Sequence, residues 1–265
     1  MTSITVVIAS AGRPSVCAQA IEHIQSSLLP EGAVLHGILS CPGDDDAPPT
    51  LPPNWRLITG SRGASVQRNA ALDAVDPATE FVFYFDDDIV VAKNYVAEML
   101  TLLSEKRSLV GATGTLLADG AASGSEVTYD EARSIVAAVQ TDRITGSGAP
   151  IYVSSLYGCN AAVRWATASD LRFDERLPLY SWLEDLDYSR RLANRGDLAR
   201  SGKAAAVHRG AASGGRVAHL RFGYSQVSNA TWLRKKGTMT RMEWPRYVGA
   251  PVLKNLVLSA CPSTP

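Results

Sequence analysis

The sequence predicts an α/β fold with a Rossmann-like, mostly parallel central sheet flanked by helices. Two observations support this prediction. Apolar runs of strand length alternate with helical patterns over the first 105 residues, and the run 81–85 is continuously apolar, as in a strand that is buried on both faces. The chain of 265 residues is long enough for one large domain or two small ones, and no repeat or long linker requires two.

The first half of the chain contains the clearest elements. We predict strands over 4–9, 34–39, 55–58 and 81–85, and helices over about 15–28, 63–75 and 93–105. Pro14 suits the first turn of a helix, and the stretch 42–54, rich in Pro, Gly and Asp, indicates a loop.

The alternation weakens after residue 108. The expected elements there are a strand at 151–156, a helix at 184–194 that ends before a glycine, a short strand at 204–207, and helical segments at 217–236 and 246–259.

Charge is distributed unevenly along a chain whose net charge is zero. Residues 201–265 contain ten Lys or Arg and one acid, Glu243, so this section carries +9 and the first 200 residues carry −9. A basic section indicates a polyanionic partner, such as a diphosphate, anionic lipid headgroups or nucleic acid. No nucleic-acid recognition motif accompanies the charge, so we expect no nucleic-acid partner.

The sequence indicates a reducing compartment and gives no targeting signal. The four cysteines form no CxxC pair, and the first strand follows the N-terminus without a basic segment. No apolar run approaches the roughly 20 residues that a membrane-spanning helix needs. We therefore expect a cytoplasmic protein, with peripheral attachment at the inner face of the cytoplasmic membrane as a further expectation.

Three consecutive carboxylates, Asp86, Asp87 and Asp88, directly follow the strand 81–85. Adjacent carboxylates repel one another unless a cation shares them, and the carboxyl ends of parallel strands are where ligands bind in such sheets. The alternative is that these acids cap the next helix or solvate a loop. The triplet favours a metal site at the ligand-binding edge of the sheet.

Four segments together resemble family 2 glycosyltransferases of the GT-A fold, and the resemblance covers about residues 3–236. They are the strand 6–10, the pair of segments 60–63 and 67–69, the triplet 86–88, and the segment 173–175 followed by 182–187. The resemblance implies a domain 1–216, with a nucleotide-binding half at about 1–110 and an acceptor half at about 111–216. A basic helical extension then covers 217–265.

The resemblance also implies an activity, which is inverting transfer of a sugar from a nucleotide-diphosphate donor. UDP-sugars are favoured, and dTDP- or GDP-sugars are alternatives. The acceptor would be a hydroxyl of a glycan or a polyprenyl-diphosphate-linked sugar, in bacterial polysaccharide or exopolysaccharide biosynthesis. The chain lacks the Gln-x-x-Arg-Trp segment of processive synthases, so one sugar per encounter is expected.

The donor half contains most of the expected ligand contacts. Ala9 and Ser10 end the first strand, where backbone groups could meet a base, and Arg13 follows at the turn. Arg62 and Arg68 flank a helix start, which suits phosphate, although a solvated surface charge is an equal alternative for Arg62.

The family pattern favours function for Arg68 with Asn69. Similar enzymes often have a base-contacting Asp after the second strand, where Asp44, Asp45 and Asp46 lie in this chain. Residues 40–43 replace the usual pattern, so which of the three acids contacts the base stays open.

The resemblance assigns separate roles to the triplet. Asp86 faces the nucleoside, Asp88 reaches the cation, and Asp87 is the donor-site acid whose role is least defined. His208, after a short strand, completes the shell of Mn²⁺ or Mg²⁺, with a plain loop histidine as the alternative. The Gly- and Ser-rich segment 209–216 is expected to close over the diphosphate and to use Arg209 or Arg216.

The acceptor half is expected to contain the general base. Asp185 matches the family's base position at a helix N-terminus, and an ordinary pKa of about 3.9 would keep it ionised. Glu184 is expected to bind hydroxyls, and Asn160 to line the donor sugar or acceptor. Trp182 either stacks on a sugar face or belongs to the core.

Asp187, in the same helix, is expected to be a surface acid paired with Arg190 or Arg191.

The segment 221–236 combines aromatic residues with the basic run 234–236. This composition suits an anionic membrane surface and a polyprenyl-diphosphate acceptor, with a solvated basic face as the alternative.

Two rival functions are considered. A nucleotidyltransferase would need a Gly-rich, Lys-containing phosphate loop near residue 10, which residues 9–13 do not supply. A non-catalytic nucleotide- or glycan-binding module would not need Asp185.

Overall fold

The protein is described from a computed structural model, which covers residues 1–139, 148–177, 181–211, 219–250, 252, 253 and 256. Over these residues the strands are β1 (Thr2–Ala9), β2 (Ala33–Cys41), β3 (Trp55–Thr59), β4 (Phe81–Asp86), β5 (Ile89–Val91), β6 (Leu109–Asp119), β7 (Ile151–Tyr152), β8 (Asn160–Arg164) and β9 (Asp197–His208). The helices are α1 (Pro14–Gln25), α2 (Ala64–Asp73), α3 (Tyr95–Glu105), α4 (Gly120–Ser123), α5 (Tyr129–Ala137), α6 (Trp165–Ala168), α7 (Glu184–Ala193) and α8 (His219–Lys236).

One sheet contains all of these strands, in the order β3-β2-β1-β4-β8-β6-β9-β5, and β7 pairs with β9. The four strands β3, β2, β1 and β4 are parallel, as predicted. β8 inserts between β4 and β6 in the antiparallel sense, whereas β6 and β9 are parallel. The α/β fold class is confirmed, and the parallel arrangement applies to β1–β4 while the rest of the sheet is mixed.

Strand β4 is buried on both faces, which confirms the interpretation of its continuous apolar run. Phe81, Phe83 and Phe85 pack on one face with residues of α1 and α3. Val82 and Tyr84 pack on the other face with residues of α2 and α7. Burial of both faces fixes the end of the strand, and with it the position of the carboxylates that follow.

Several elements differ from the sequence-based expectation. The strand predicted at 151–156 is only Ile151–Tyr152, and the one predicted at 204–207 extends over Asp197–His208. Strands β6 and β8 were not predicted, because glycines interrupt one and alanines dominate the other. Gly114 in β6 is required by packing, since a Cβ atom there would lie 2.4 Å from the Tyr95 ring.

The C-terminal extension packs against the acceptor half through an apolar cluster. Leu233, Met239 and Val248 contribute from the extension, and Leu177, Leu183 and Leu186 contribute from the acceptor half. The predicted helix at 217–236 corresponds to α8, and a π-helical turn covers Pro245–Gly249. The predicted segment 246–259 lies partly outside the described residues. Within the described part, no helix is long and apolar enough to cross a bilayer.

Candidate active site

Strand ends from both halves of the sheet meet at one edge. Ala9 at the end of β1 is in register with Asp86 at the end of β4. On the other side, Asp119 at the end of β6 is in register with His208 at the end of β9. Because β5 starts at Ile89 and pairs with His208, the acid triplet is placed directly against the histidine.

Asp86, Asp88 and His208 form a cluster in which one potential ligand atom from each lies within 4.8 Å of the others. His208 Nε2 is 3.3 Å from Asp88 Oδ1 and 3.7 Å from Asp86 Oδ2. Asp88 Oδ1 is buried and accepts no hydrogen bond, so a carboxylate oxygen is left without a partner at the centre of the cluster. Two carboxylates and an imidazole with such an oxygen fit a divalent cation, Mn²⁺ or Mg²⁺.

His208 is held from behind by Asp119, a residue that no pattern in the sequence indicates. Asp119 Oδ1 lies 2.9 Å from His208 Nδ1, and Tyr157 donates its hydroxyl to Asp119 Oδ2 at 2.7 Å. Burial lowers the pKa of His208, but its bond to Asp119 and the nearby charge of Asp88 outweigh that effect and raise the pKa to about 10. Asp119 therefore fixes the ring so that Nε2 points at the cluster.

Two glycines allow the ends of β6 and β9 to approach each other. A Cβ atom on Gly120 would lie 2.0 Å from the Arg209 carbonyl oxygen. Gly210 has a φ of +67°, and its Cβ would lie 2.3 Å from the Ala121 nitrogen. Larger residues would separate the two strand ends, and with them Asp119 from His208.

We predict that Asp119→Asn lowers Mn²⁺ affinity about 10- to 100-fold, as is typical when the partner of a metal-binding histidine is lost. The change keeps the shape of the side chain but weakens its hold on His208 Nδ1. Calorimetric titration of the apo protein with Mn²⁺ measures the effect. Asp130→Asn, at an exposed acid of α5, is the control, and equal affinities in all three proteins would contradict the prediction.

Asp87 points away from the cluster and is neutralised by Arg13. Its carboxylate accepts bonds from Ser10 Oγ at 2.5 Å, from Arg13 Nε at 2.8 Å, and from Arg13 Nη2. Arg13 Nη1 also donates to the Ala211 carbonyl at 2.9 Å. Arg13 Nη1 also lies 3.6 Å from Asp88 Oδ2, so one guanidinium offsets the charge of two of the three adjacent carboxylates. The predicted nucleotide contacts of Arg13, Asp87 and Ser10 stay predictions.

Arg68 connects the donor and acceptor halves. It is buried, donates to Asp86 Oδ1 at 2.6 Å, forms a second ion pair with Glu184, and lies over the Phe173 ring at 5.3 Å. Burial raises the pKa of Glu184 to about 8, and the guanidinium of Arg68 opposes that rise. Arg68 thus holds Glu184 close to Asp86.

Asp185 is the second residue of α7, as the predicted helix N-terminus requires. Its Oδ2 accepts from the Gly158 nitrogen at 3.0 Å, and its Oδ1 accepts from the Leu186 nitrogen at 2.8 Å. Burial raises its pKa above the ordinary value despite these donors, so the expectation of an ordinary pKa is wrong. A carboxylate with a raised pKa is a stronger base.

The turn before α7 has an unusual backbone. Ser181 and Leu183, on either side of Trp182, have positive φ values of 61° and 74° without being glycines. Such residues cost about 1–3 kcal/mol each and persist only where the surrounding structure holds them. Strain of this kind, next to Glu184 and Asp185, is typical of functional sites.

Two predicted site residues, Asn69 and Asn160, are buried in the protein interior. Asn69 binds the Phe173 backbone, donating to its oxygen at 3.0 Å and accepting from its nitrogen at 2.7 Å. Asn160 has no exposed surface, and its Oδ1 accepts from Thr113 Oγ1 at 2.5 Å. The structure therefore exposes neither side chain to a ligand.

The loop after β2 brings one of its three acids, Asp46, to the sheet edge. Asp46 Oδ1 accepts from the Gly12 nitrogen at 2.5 Å and lies 3.8 Å from the largely exposed Arg62. Asp44 and Asp45 are exposed, whereas Ala9 and Asp46 are half-buried. Asp46 is thus the acid of the three that the fold holds next to the end of β1.

Arg209 is directed away from the metal cluster. Its guanidinium donates to Gln19 Oε1 at 2.8 Å and Arg209 Nε donates to the Val127 oxygen at 3.2 Å, and it also lies over the Tyr129 ring. These contacts join β9 to α1 and to the segment before α5. Residues 212–216 of the predicted closing segment, including Arg216, lie outside the described residues.

Two acceptor-half residues lie against the extension. Trp182 is half-buried, belongs to the apolar cluster with the extension, and lies with its ring 6.1 Å from that of Tyr247. Asp187 has no exposed surface, so the expectation of a surface acid is wrong, although its predicted pairing with Arg191 is present at 3.0 Å.

Comparisons with known proteins agree with this architecture. No protein-family model matches the sequence, and no curated protein matches it. Among solved structures, the mannosyltransferase PcManGT of Pyrobaculum calidifontis, in complex with GDP-Man and Mn²⁺, is similar with a TM-score of 0.60 and 13% identity, over 99% of this chain and 76% of that chain. The fold is that of the GT-A glycosyltransferases.

Two further structures have the same likeness. TarS 1–349 of S. aureus gives a TM-score of 0.56 at 12% identity, over 94% of this chain and 69% of that chain. GalNAc-T7 with UDP, GalNAc and Mn²⁺ gives a TM-score of 0.55 at 13% identity, over 78% of this chain and 44% of that chain. Identities this low establish the fold alone.

Proposed function

We propose that the protein transfers a single sugar from a nucleoside-diphosphate sugar to a hydroxyl acceptor, with inversion at the anomeric carbon. The observation that supports this most directly is the cluster of Asp86, Asp88 and His208. Arg68 joins this cluster to Glu184, which precedes Asp185 in the chain. A cation-binding cluster and a half-buried carboxylate base are the two parts that such a transfer needs.

The chemistry assigned to these residues is a single displacement. Asp185 takes the proton of the acceptor hydroxyl while that oxygen forms a bond to the anomeric carbon. The bond from that carbon to the diphosphate oxygen breaks, and its electron pair leaves with the diphosphate. One base on the acceptor side produces inversion, by analogy with inverting glycoside hydrolysis.

Asp86, Asp88 and His208, together called the donor wall below, would provide both charge and orientation for the donor. Asp88 and His208, with Asp86, are the residues that would hold Mn²⁺ or Mg²⁺, which when bound neutralises negative charge on the diphosphate. Asp86 also accepts from Arg68, so its orientation toward a nucleoside is fixed from below. Donor binding is further supported by similar structures solved with UDP, UDP-GlcNAc and GDP-Man. UDP-sugars remain the favoured donors, with dTDP- and GDP-sugars as alternatives.

A thermal-shift panel of UDP-, dTDP- and GDP-sugars, each with and without Mn²⁺, tests the proposal. A donor that binds the native state raises the melting temperature, and we expect one class to do so only with the cation. Asp88→Asn is the matched variant and should lose this cation-dependent shift. Absence of any shift across the panel would refute donor binding.

We further propose a lipid-linked glycan acceptor presented at an anionic membrane, in bacterial polysaccharide assembly. Arg234, Arg241 and Arg246 are exposed on the extension, together with Met242. Exposed basic and apolar groups within one segment suit anionic headgroups. Flotation with phosphatidylglycerol vesicles should carry the protein upward at low salt, and failure to float would remove the membrane from the proposal.

A further inference from the structure

The C-terminal extension is bonded to the helix that contains Asp185 by a buried ionic group. Lys236, the last residue of α8, donates to Asp174 Oδ2 and to Asp187 Oδ2, both at 2.7 Å. Asp187 is one of the first four residues of α7, has no exposed surface, and follows Asp185 by two positions. One lysine therefore bridges two buried carboxylates from two different segments, and each carboxylate also pairs with an arginine, Asp174 with Arg176 and Asp187 with Arg191.

The extension makes two further hydrogen bonds to these carboxylates. Asp187 Oδ1 accepts from Thr238 at 2.8 Å, and Asp174 Oδ2 accepts from Trp232 Nε1 at 3.0 Å. Both donors belong to the extension. Asp174 follows Phe173, whose backbone is bound by Asn69 of α2, so the group joins the extension to both halves of the domain.

A second contact from α8 reaches the strained turn itself. The Asn229 side chain, which is fully buried, donates from Nδ2 to the Trp182 carbonyl at 2.9 Å. Trp182 lies between the two residues with positive φ, Ser181 and Leu183. The turn also bonds forward into α7, where Asp187 N donates to the Leu183 carbonyl at 3.1 Å. α8 thus contacts the turn at its middle and α7 in its first turn.

We propose that Lys236 is a positioning residue for the transfer, acting with Asn229 to fix the turn that presents Asp185. The inference rests on the proposed function, because Asp185 is the base only if a hydroxyl is deprotonated. Positive-φ residues need support from their surroundings, and α8 supplies that support here. The extension is accordingly part of the catalytic unit. Of the basic run 234–236, only Arg234 and Lys235 are exposed to a membrane surface.

The test compares Lys236→Met with Lys236→Arg in the full chain. Because the donor wall contains no residue of this group, we expect Lys236→Met to keep donor affinity with Mn²⁺ within about 2-fold while kcat falls about 10- to 100-fold, the scale expected from a small misplacement of a reacting group. Lys236→Arg should recover most of kcat. Lys106→Met, at an exposed lysine after α3, is the control for loss of a positive charge.

Hydrogen exchange gives a readout that does not depend on activity. Peptides over 181–188 should exchange faster in Lys236→Met and in Asn229→Ala than in the wild type, while peptides over 81–88 should not change. Should Lys236→Met fail to fold, Thr238→Val removes one donor to Asp187 and permits the same comparison.

Two results would overturn the positioning role. One is an unchanged kcat or unchanged exchange over 181–188 in the Lys variant. The other is a parallel loss of donor affinity and kcat, which would indicate general destabilisation. A wild type that transfers no sugar would refute the proposed function instead, and the exchange data would still decide whether the extension fixes the turn.

Discussion

Asp185→Asn is expected to lower kcat by about 10²- to 10⁴-fold, the usual contribution of a positioned general base. Asparagine keeps the size of the side chain, and its amide oxygen can still accept from Gly158 or Leu186. It cannot take the acceptor proton. Because the donor wall lies on other elements, the cation-dependent thermal shift with the donor sugar should persist. Steady-state kinetics and thermal shifts on the same preparation measure both quantities.

The control for this substitution is Asp197→Asn, which removes an exposed carboxylate at the start of β9. It should leave kcat and donor binding at the wild-type level. Retained activity in Asp185→Asn would exclude Asp185 as the base. Donor binding without turnover in the wild type would favour the non-catalytic binding module, which needs the Asp86 and Asp88 wall but not Asp185.

The acid triplet shows how far the sequence predicts this site. The apolar run before it determines a doubly buried strand, and the end of a parallel strand determines where a ligand edge lies. These are local patterns, so the sequence suffices to place Asp86 and Asp88 at the sheet edge. The separate pairing of Asp87 with Arg13 is a contact between residues 74 positions apart, and no local pattern predicts it.

The supporting residues were missed for the same physical reason. Asp119 is 89 positions from His208 and resembles an ordinary helix cap, since it also accepts from the nitrogens of α4. Lys236 resembles a solvated member of a basic run, yet it bonds two buried acids. Charge counting predicts the sign of a surface but not which of its charges are consumed inside the fold.

At pH 9, above the pKa of about 8 of Glu184, Arg68→Met is expected to destabilise the protein by about 3 kcal/mol, because removing one partner leaves a buried charge uncompensated. Glu184 is the main source of this cost, since its side chain is 12% exposed. Asp86 is 32% exposed and adds less, because solvent screens it. Methionine retains the apolar contact with the Phe173 ring, so the loss reports mainly on charge. Urea denaturation monitored by circular dichroism measures the change.

A double substitution separates the ion pair from general damage to the core. Arg68→Met with Glu184→Gln removes the uncompensated charge along with its partner, so it should recover part of the stability lost in Arg68→Met. Arg107→Met, at an exposed arginine, should change the free energy of unfolding by less than about 0.5 kcal/mol. Equal stabilities of the single and double variants would show that Arg68 contributes through packing, and the link between the donor and acceptor halves would then not be electrostatic.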